Sequence, residues 1–106
     1  MSHPYVKGRA FEYRVRDYLK KKGFFVVRQA RSAFPDLIAL KKSRVIFVEC
    51  KVDGRLSKRE REELLAILAF AGGEGFLALR KGRKLLFRSV KIGTFGRGRV
   101  QYLDDV

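Results

Sequence analysis

Pro35-Asp36 and, one apolar run later, Glu49-Cys50-Lys51 are the residues of this chain best suited to chemistry. Two carboxylates offer oxygen donors to a hard divalent cation, and an ammonium beside them serves a phosphate under attack by hydroxide. Glu49 and Lys51 end the run Val45-Ile46-Phe47-Val48. Side chains alternate along a strand, so Val45, Phe47, Glu49 and Lys51 share one face while Ile46, Val48 and Cys50 share the other. Asp36 opens the preceding strand. If the two strands are antiparallel neighbours, the start of one lies beside the end of the other, which brings Asp36 within reach of Glu49. The pair can then share a Mg²⁺ with a main-chain carbonyl such as that of Cys50 and with waters. Lys51 would orient and deprotonate the attacking water or offset charge on the phosphate. Glu12 is a third acid, bordered on its helix by residues expected to face the core, where a carboxylate is costly unless paired or metal-bound. The plain alternatives are a surface Glu49–Lys51 pair and a Glu12 bridged to Arg9 or Arg16 at helical spacing. Pro-Asp with acid-any-Lys also arises by chance in a charged chain; the placement of both halves at strand ends sets this one apart.

The elements that must hold these residues follow from periodicity. Residues 7 to 22 read as a helix with Ala10, Tyr13, Val15, Tyr18 and Leu19 on its apolar stripe, closed by Lys20-Lys21-Lys22-Gly23. Strands are predicted at 24–29, 36–40 and 45–52, the last two as a hairpin around Lys41-Lys42-Ser43. Ser57-Lys-Arg-Glu60 is a capping box that opens a second helix, stopped by Gly72-Gly73. Its C-terminal half is apolar around most of its circumference, one face for the sheet and a remainder for another subunit. Strands at 75–79 and 84–90 follow. The chain is read as one α/β domain over 1–106, with 91–106 either a peripheral strand or a mobile tail.

Composition sets the partner. Lys and Arg total 25 against 11 Asp and Glu, a formal net charge of +14 spread along the chain. Such an excess is best explained by a polyanion, with nucleic acid first and an anionic membrane surface second. No apolar run approaches the ~20 residues of a membrane helix, and the N-terminal residues lack a signal-peptide core. One cysteine excludes an internal disulfide framework and a cysteine-based zinc site. The expected address is cytoplasmic, and DNA-associated if the polyanion is DNA. His3 is read as part of a fraying terminus, Cys50 as a small core residue, and Gly96-Arg-Gly-Arg99 as a turn or a phosphate contact.

Gly8-x-x-x-Glu12, Gly23-Phe24-x-Val26-x-Arg28, Ser32, Pro35-Asp36-Leu-Ile-Ala39 and Val48-Glu49-Cys-Lys51 occur in an order that resembles the archaeal-type Holliday-junction resolvases of the PD-(D/E)xK nuclease superfamily. The resemblance spans roughly residues 5 to 90; its motifs are specific together and weak singly. It implies a restriction-endonuclease-like fold, a central mixed β-sheet flanked by helices. It also implies a homodimer that binds four-way DNA junctions by shape and nicks two opposed strands with Mg²⁺, for which Mn²⁺ can substitute, with no small-molecule cofactor and no membrane. Glu12, Asp36, Glu49 and Lys51 would form the active site, with Asp36, Glu49 and Glu12 as metal ligands. Ser32 and Arg28 match positions tied to catalysis or substrate contact, and Lys7, Arg9 and Arg31 join them as expected DNA contacts. Leu64, Leu68 and Phe70 on the second helix would form the dimer interface. The family usually has Arg directly after its helix acid; here that position is Tyr13, which passes phosphate contact to Arg9, Arg14 or Arg16. Two other functions compete: a related nuclease acting on linear duplex, and a basic nucleic-acid-binding protein without catalysis.

Overall fold

The computed structural model describes residues 4–30, 33–91 and 100–101, and the side chains within them except those of 4–7, 100 and 101. The elements run α1 (Pro4–Lys21), β1 (Phe25–Arg28), β2 (Leu37–Lys41), β3 (Arg44–Cys50), α2 (Lys58–Ala71), β4 (Glu74–Lys81), β5 (Lys84–Val90) and β6 (Val100–Gln101). The six strands form one sheet in sequence order, and every neighbouring pair is antiparallel except β3–β4. This is the mixed, restriction-endonuclease-like α/β sheet that the resemblance implies. The parallel pair demands a crossover, and α2 provides it.

Each helix covers one face of the sheet. Phe11, Val15 and Leu19 of α1 pack with Leu37, Ala39, Ile46, Val48, Phe76, Ala78 and Phe87. Leu64 and Leu68 of α2 pack with Phe47, Leu77 and Val90 on the other side. The alternation of β3 therefore assigns Ile46 and Val48 to α1 and Phe47 to α2. The stripe expected on α1 is corrected in part: Ala10 and Tyr13 are exposed, and Phe11 takes the inward place, at i, i+4, i+8 spacing with Val15 and Leu19.

Local chemistry fixes the helix ends. Gly23, at φ +93, lets the Phe24 N–H reach Leu19 O and the Gly23 N–H reach Lys20 O, a Schellman closure of α1. The Ser57 hydroxyl accepts from Glu60 N at 3.1 Å while the Glu60 carboxylate accepts from Ser57 N at 3.1 Å, so the expected capping box is complete. At the other end of α2, Gly73 holds φ +86, and a Cβ there would lie 2.7 Å from Val45 O. Only glycine permits this return from α2 into β4.

The interface expectation is corrected for Leu64 and Leu68. Their exposures are 0% and 7%, so they pack in this chain's own core and leave little surface for a partner. Phe70, at 94% exposure, is different.

Candidate active site

The antiparallel register of β2 and β3 pairs Leu37 with Val48, and one step further Asp36 faces Glu49. The two strand ends clasp each other. Asp36 N donates to Glu49 Oε1 at 3.0 Å, and Cys50 N donates to Asp36 Oδ2 at 2.8 Å. The approach to Asp36 is braced by Gln29, whose Nε2 donates to Pro35 O at 2.8 Å and whose N donates to Asp36 O at 2.9 Å. Glu49 is only 5% exposed. Burial, and after it the Asp36 carboxylate, push its carboxyl up to about 9, against the opposing pull of Asp36 N–H and Lys51.

Lys51 leaves β3 on the α2 side of the sheet. Its Nζ lies 2.6 Å from Glu60 Oε2 and 3.7 Å from Glu49 Oε2. Burial alone would lower the ammonium's pKa, but the hydrogen bond and charge of Glu60, with Glu49 and Asp36 behind them, raise it. Glu60 answers in kind: burial opposes its ionisation, yet bonds from Lys51 and Ser57 draw its carboxyl down to about 2. One carboxylate thus caps α2 and holds the site lysine. Sequence reading assigned Glu60 to the cap alone, since nothing in its spacing from Lys51 reports the second bond.

Glu12 stands on the other side of Asp36. Burial and the Asp36 charge raise its carboxyl, while Arg28 and Arg9 lower it. Arg28 forms an ion pair with it, with Nε 3.7 Å from Oε1. Arg28 sits in β1 opposite Leu37, its guanidinium 4.9 Å from the Tyr13 ring, and its Nε is buried without a hydrogen-bond partner. Cys50 faces away from Glu49 and packs at the margin of the α1 core, where burial holds its thiol pKa well above the usual range. Arg9 is exposed, Lys7 lies in α1 with its side chain outside the description, and Arg31 and Ser32 lie outside the described residues.

Two separate hollows border this row of side chains. Asp36, Glu49, Glu60 and Glu63 line an acidic cleft of about 350 Å³ with Phe34 and Arg59. Lys51 lines a larger basic one of about 760 Å³, with Arg14 and Arg80. Nothing in the sequence marks Arg80 or Arg59 as neighbours of the site; Arg80 comes from β4, distant in the chain, and Arg59 from the first turn of α2.

The donor chemistry fits a hard divalent cation. Two oxygens-only ligands are pressed together until one keeps a proton, and a cation's charge at that spot would replace the proton. Among the described residues no group of three His, Cys, Asp or Glu side chains converges as a metal cage. Asp36 and Glu49 are brought together, whereas Glu12 is turned to Arg28.

A mixed sheet covered by one helix on each face, with Pro-Asp heading one strand and Glu-Cys-Lys ending its antiparallel neighbour, defines the restriction-endonuclease-like nucleases. Comparison with known proteins narrows this class. The model of the archaeal Holliday junction resolvase family matches residues 3–103, so the chain belongs to that family. The crossover junction endodeoxyribonuclease Hjc of Methanocaldococcus jannaschii is 36% identical over 91 residues, which cover 82% of this chain and 68% of the relative. The solved structure of Archaeoglobus fulgidus Hjc, a Holliday junction resolvase, matches with a TM-score of 0.68 and 25% identity over 92% of this chain and 85% of that one.

Proposed function

We propose that this chain is a Mg²⁺-dependent endodeoxyribonuclease that works as a homodimer on four-way DNA junctions in the cytoplasm, nicking two opposed strands by phosphodiester hydrolysis. The whole of residues 1–106 serves as one nuclease domain. The observation that carries the chemistry is the clasp of Asp36 and Glu49 with Lys51 at its mouth. Asp36 and Glu49, with the Cys50 carbonyl, hold the metal, and Mn²⁺ can stand in for Mg²⁺. When bound, the cation supplies Lewis-acid activation of the phosphate and the attacking water. Lys51, kept charged by its acidic neighbours in the metal-free site, orients and deprotonates the attacking water or offsets charge developing on the phosphate. Glu12, the third acid of the metal set, would reach the ion through a water, and Arg28 and Ser32 would border the reacting phosphate, with Arg31, Lys7 and Arg9 contributing contacts along the strand.

A second protomer is supported by the apolar surface that α2 leaves uncovered. Pairing of Phe25 with Leu40 and of Val27 with Ile38 puts these side chains on the α2 face of the sheet. Phe25, Val27 and Leu40 are 69%, 41% and 37% exposed, and Phe70 projects from the end of α2. A monomer rarely exposes so much apolar surface on one side. Two active sites related by a two-fold axis are also what paired cuts in a two-fold pseudo-symmetric junction require.

The test is cleavage of a labelled four-way junction and of a linear duplex of equal length, in Mg²⁺ and in EDTA. Paired nicks confined to the junction and to Mg²⁺ are expected. Equal cutting of both substrates would reassign the chain to duplex cleavage. Binding without cutting, or normal cutting by Glu49→Ala, would remove the active site assigned to it.

A further inference from the structure

Tyr13 carries two arginines. Its ring centroid lies 4.6 Å from the guanidinium carbon of Arg16, one helical turn along α1, and 4.9 Å from that of Arg28 in β1. The ring is 37% exposed and belongs to neither hydrophobic core, so its position is not explained by packing. Two like charges gathered on one ring repel, and the negative ring face offsets only part of that cost. Phe24 offers a comparison: it too lies near two cations, Lys41 and Arg44. There, however, Lys41 donates to Lys22 O and Arg44 grips Glu74 through two hydrogen bonds. At Tyr13 the cations are less satisfied. Arg16 uses Nε on Asp17, at 2.9 Å, and Arg28 Nε is buried with no hydrogen-bond partner. Each guanidinium has five donors in a planar fork suited to phosphate oxygens. Arg28 also reaches Glu12, which places the pair beside the carboxylates and outside the metal-binding clasp.

We propose that Tyr13 is a positioning residue that gathers Arg16 and Arg28 into one seat for a backbone phosphate of the DNA strand, next to the phosphate being cut. The inference rests on the reading that the chain binds DNA junctions. Arg14 is not part of the seat, since its guanidinium turns to Arg83 O.

Junction binding is measured by fluorescence anisotropy in EDTA, so that no cleavage is needed, across a series of salt concentrations. The proteins are wild type, Tyr13→Phe, Tyr13→Leu, Arg16→Gln and the Tyr13→Leu/Arg16→Gln double variant. Tyr13→Leu keeps apolar bulk and helix propensity but loses the ring face. It should weaken binding roughly tenfold and flatten the plot of log affinity against log salt by about one phosphate contact, a change in slope of about 0.9. Tyr13→Phe should remain within about threefold of wild type, because the ring face survives. Arg16→Gln should resemble Tyr13→Leu, and the double variant should add little to either, as expected for residues acting as a unit. Wild-type affinity and salt slope in Tyr13→Leu, with melting temperature unchanged, would overturn the seat alone. If Tyr13→Leu unfolds, the decision passes to the surface variant Arg16→Gln, and a wild-type slope there overturns the proposal. Failure of the wild-type protein to bind junctions at all would instead overturn the underlying reading, and the seat with it.

Discussion

Replacing Glu49 with glutamine should make the metal-free protein more stable while ending catalysis. The Glu49 carboxyl, almost fully buried and pushed up to about 9, keeps its proton at neutral pH when no cation is present. In the unfolded chain the same group ionises near its ordinary 4.5. Between these values the folded state binds more protons than the unfolded one, so stability falls as pH rises through that window and levels off above it. At pH 7 the distance travelled from 4.5 is about 2.5 pH units at roughly 1.4 kcal/mol each, a cost of about 3 kcal/mol. The proton is shared by the Asp36–Glu49 pair, which makes that figure an upper bound. Against the ~5–15 kcal/mol that holds a typical domain together, even half of it is large. Glutamine avoids the cost and keeps the geometry: its carbonyl accepts from Asp36 N–H, and its amide donates to the Asp36 carboxylate as the protonated acid does. Urea unfolding of both proteins in EDTA at pH 5, 7 and 9 tests this. The two should be nearly equal at the lowest pH, with the variant's advantage widening as pH rises. A gap that ignores pH, or a variant less stable at pH 9, would refute the account of Glu49 as a carboxyl held protonated by its site.

Three further outcomes follow from the same geometry. Mg²⁺ binding at pH 7 to 8 should expel about one proton per ion, seen by calorimetry in buffers of different ionisation enthalpy; no buffer dependence would contradict the protonated pair. Glu60→Gln can still accept from Ser57 N, so α2 should lose no more than about 1 kcal/mol. Loosening Lys51 should nonetheless lower the cleavage rate by roughly tenfold, and an unchanged rate would dismiss Glu60 as the lysine's support. Phe70→Asp should yield a folded monomer in sedimentation, since the ring is almost wholly exposed, whereas Leu68→Asp buries a charge and should unfold the chain. A dimeric Phe70→Asp protein would remove Phe70 from the interface.

Much of this architecture could be read from local rules. The capping box at Ser57 and Glu60 uses only contacts three residues apart, and strand alternation with a short hairpin sufficed to bring Asp36 to Glu49. Both depend on neighbours in sequence. The stripe of α1 was misplaced because aromatic and aliphatic residues occur on more than one side of the helix, and only the position of the sheet selects Phe11 over Tyr13. Leu64 and Leu68 were offered to a partner for a similar reason: an apolar helix does not state which of its sides the sheet will claim. The second task of Glu60 and the meeting of Arg28 with Tyr13 join different elements, and no spacing encodes such contacts.

The single parallel pairing in the sheet also bears on how the site comes into being. The β1–β2, β2–β3 and β4–β5 pairs join strands consecutive in the chain through short turns or a modest loop, so they can form early and independently. β3–β4 must wait for α2 to bridge it, and pairings across longer separations are the slow ones. Glu49 lies on that seam, opposite Leu77, and its enclosure is completed only when β4 docks. Before docking, Asp36 and Glu49 already face each other across the hairpin but remain exposed to solvent, without the burial that contributes most to the Glu49 shift. The full tuning of the carboxyl pair is therefore a late product of folding: a chain released with its second hairpin undocked has the Asp36–Glu49 clasp but lacks the burial that raises the Glu49 carboxyl most.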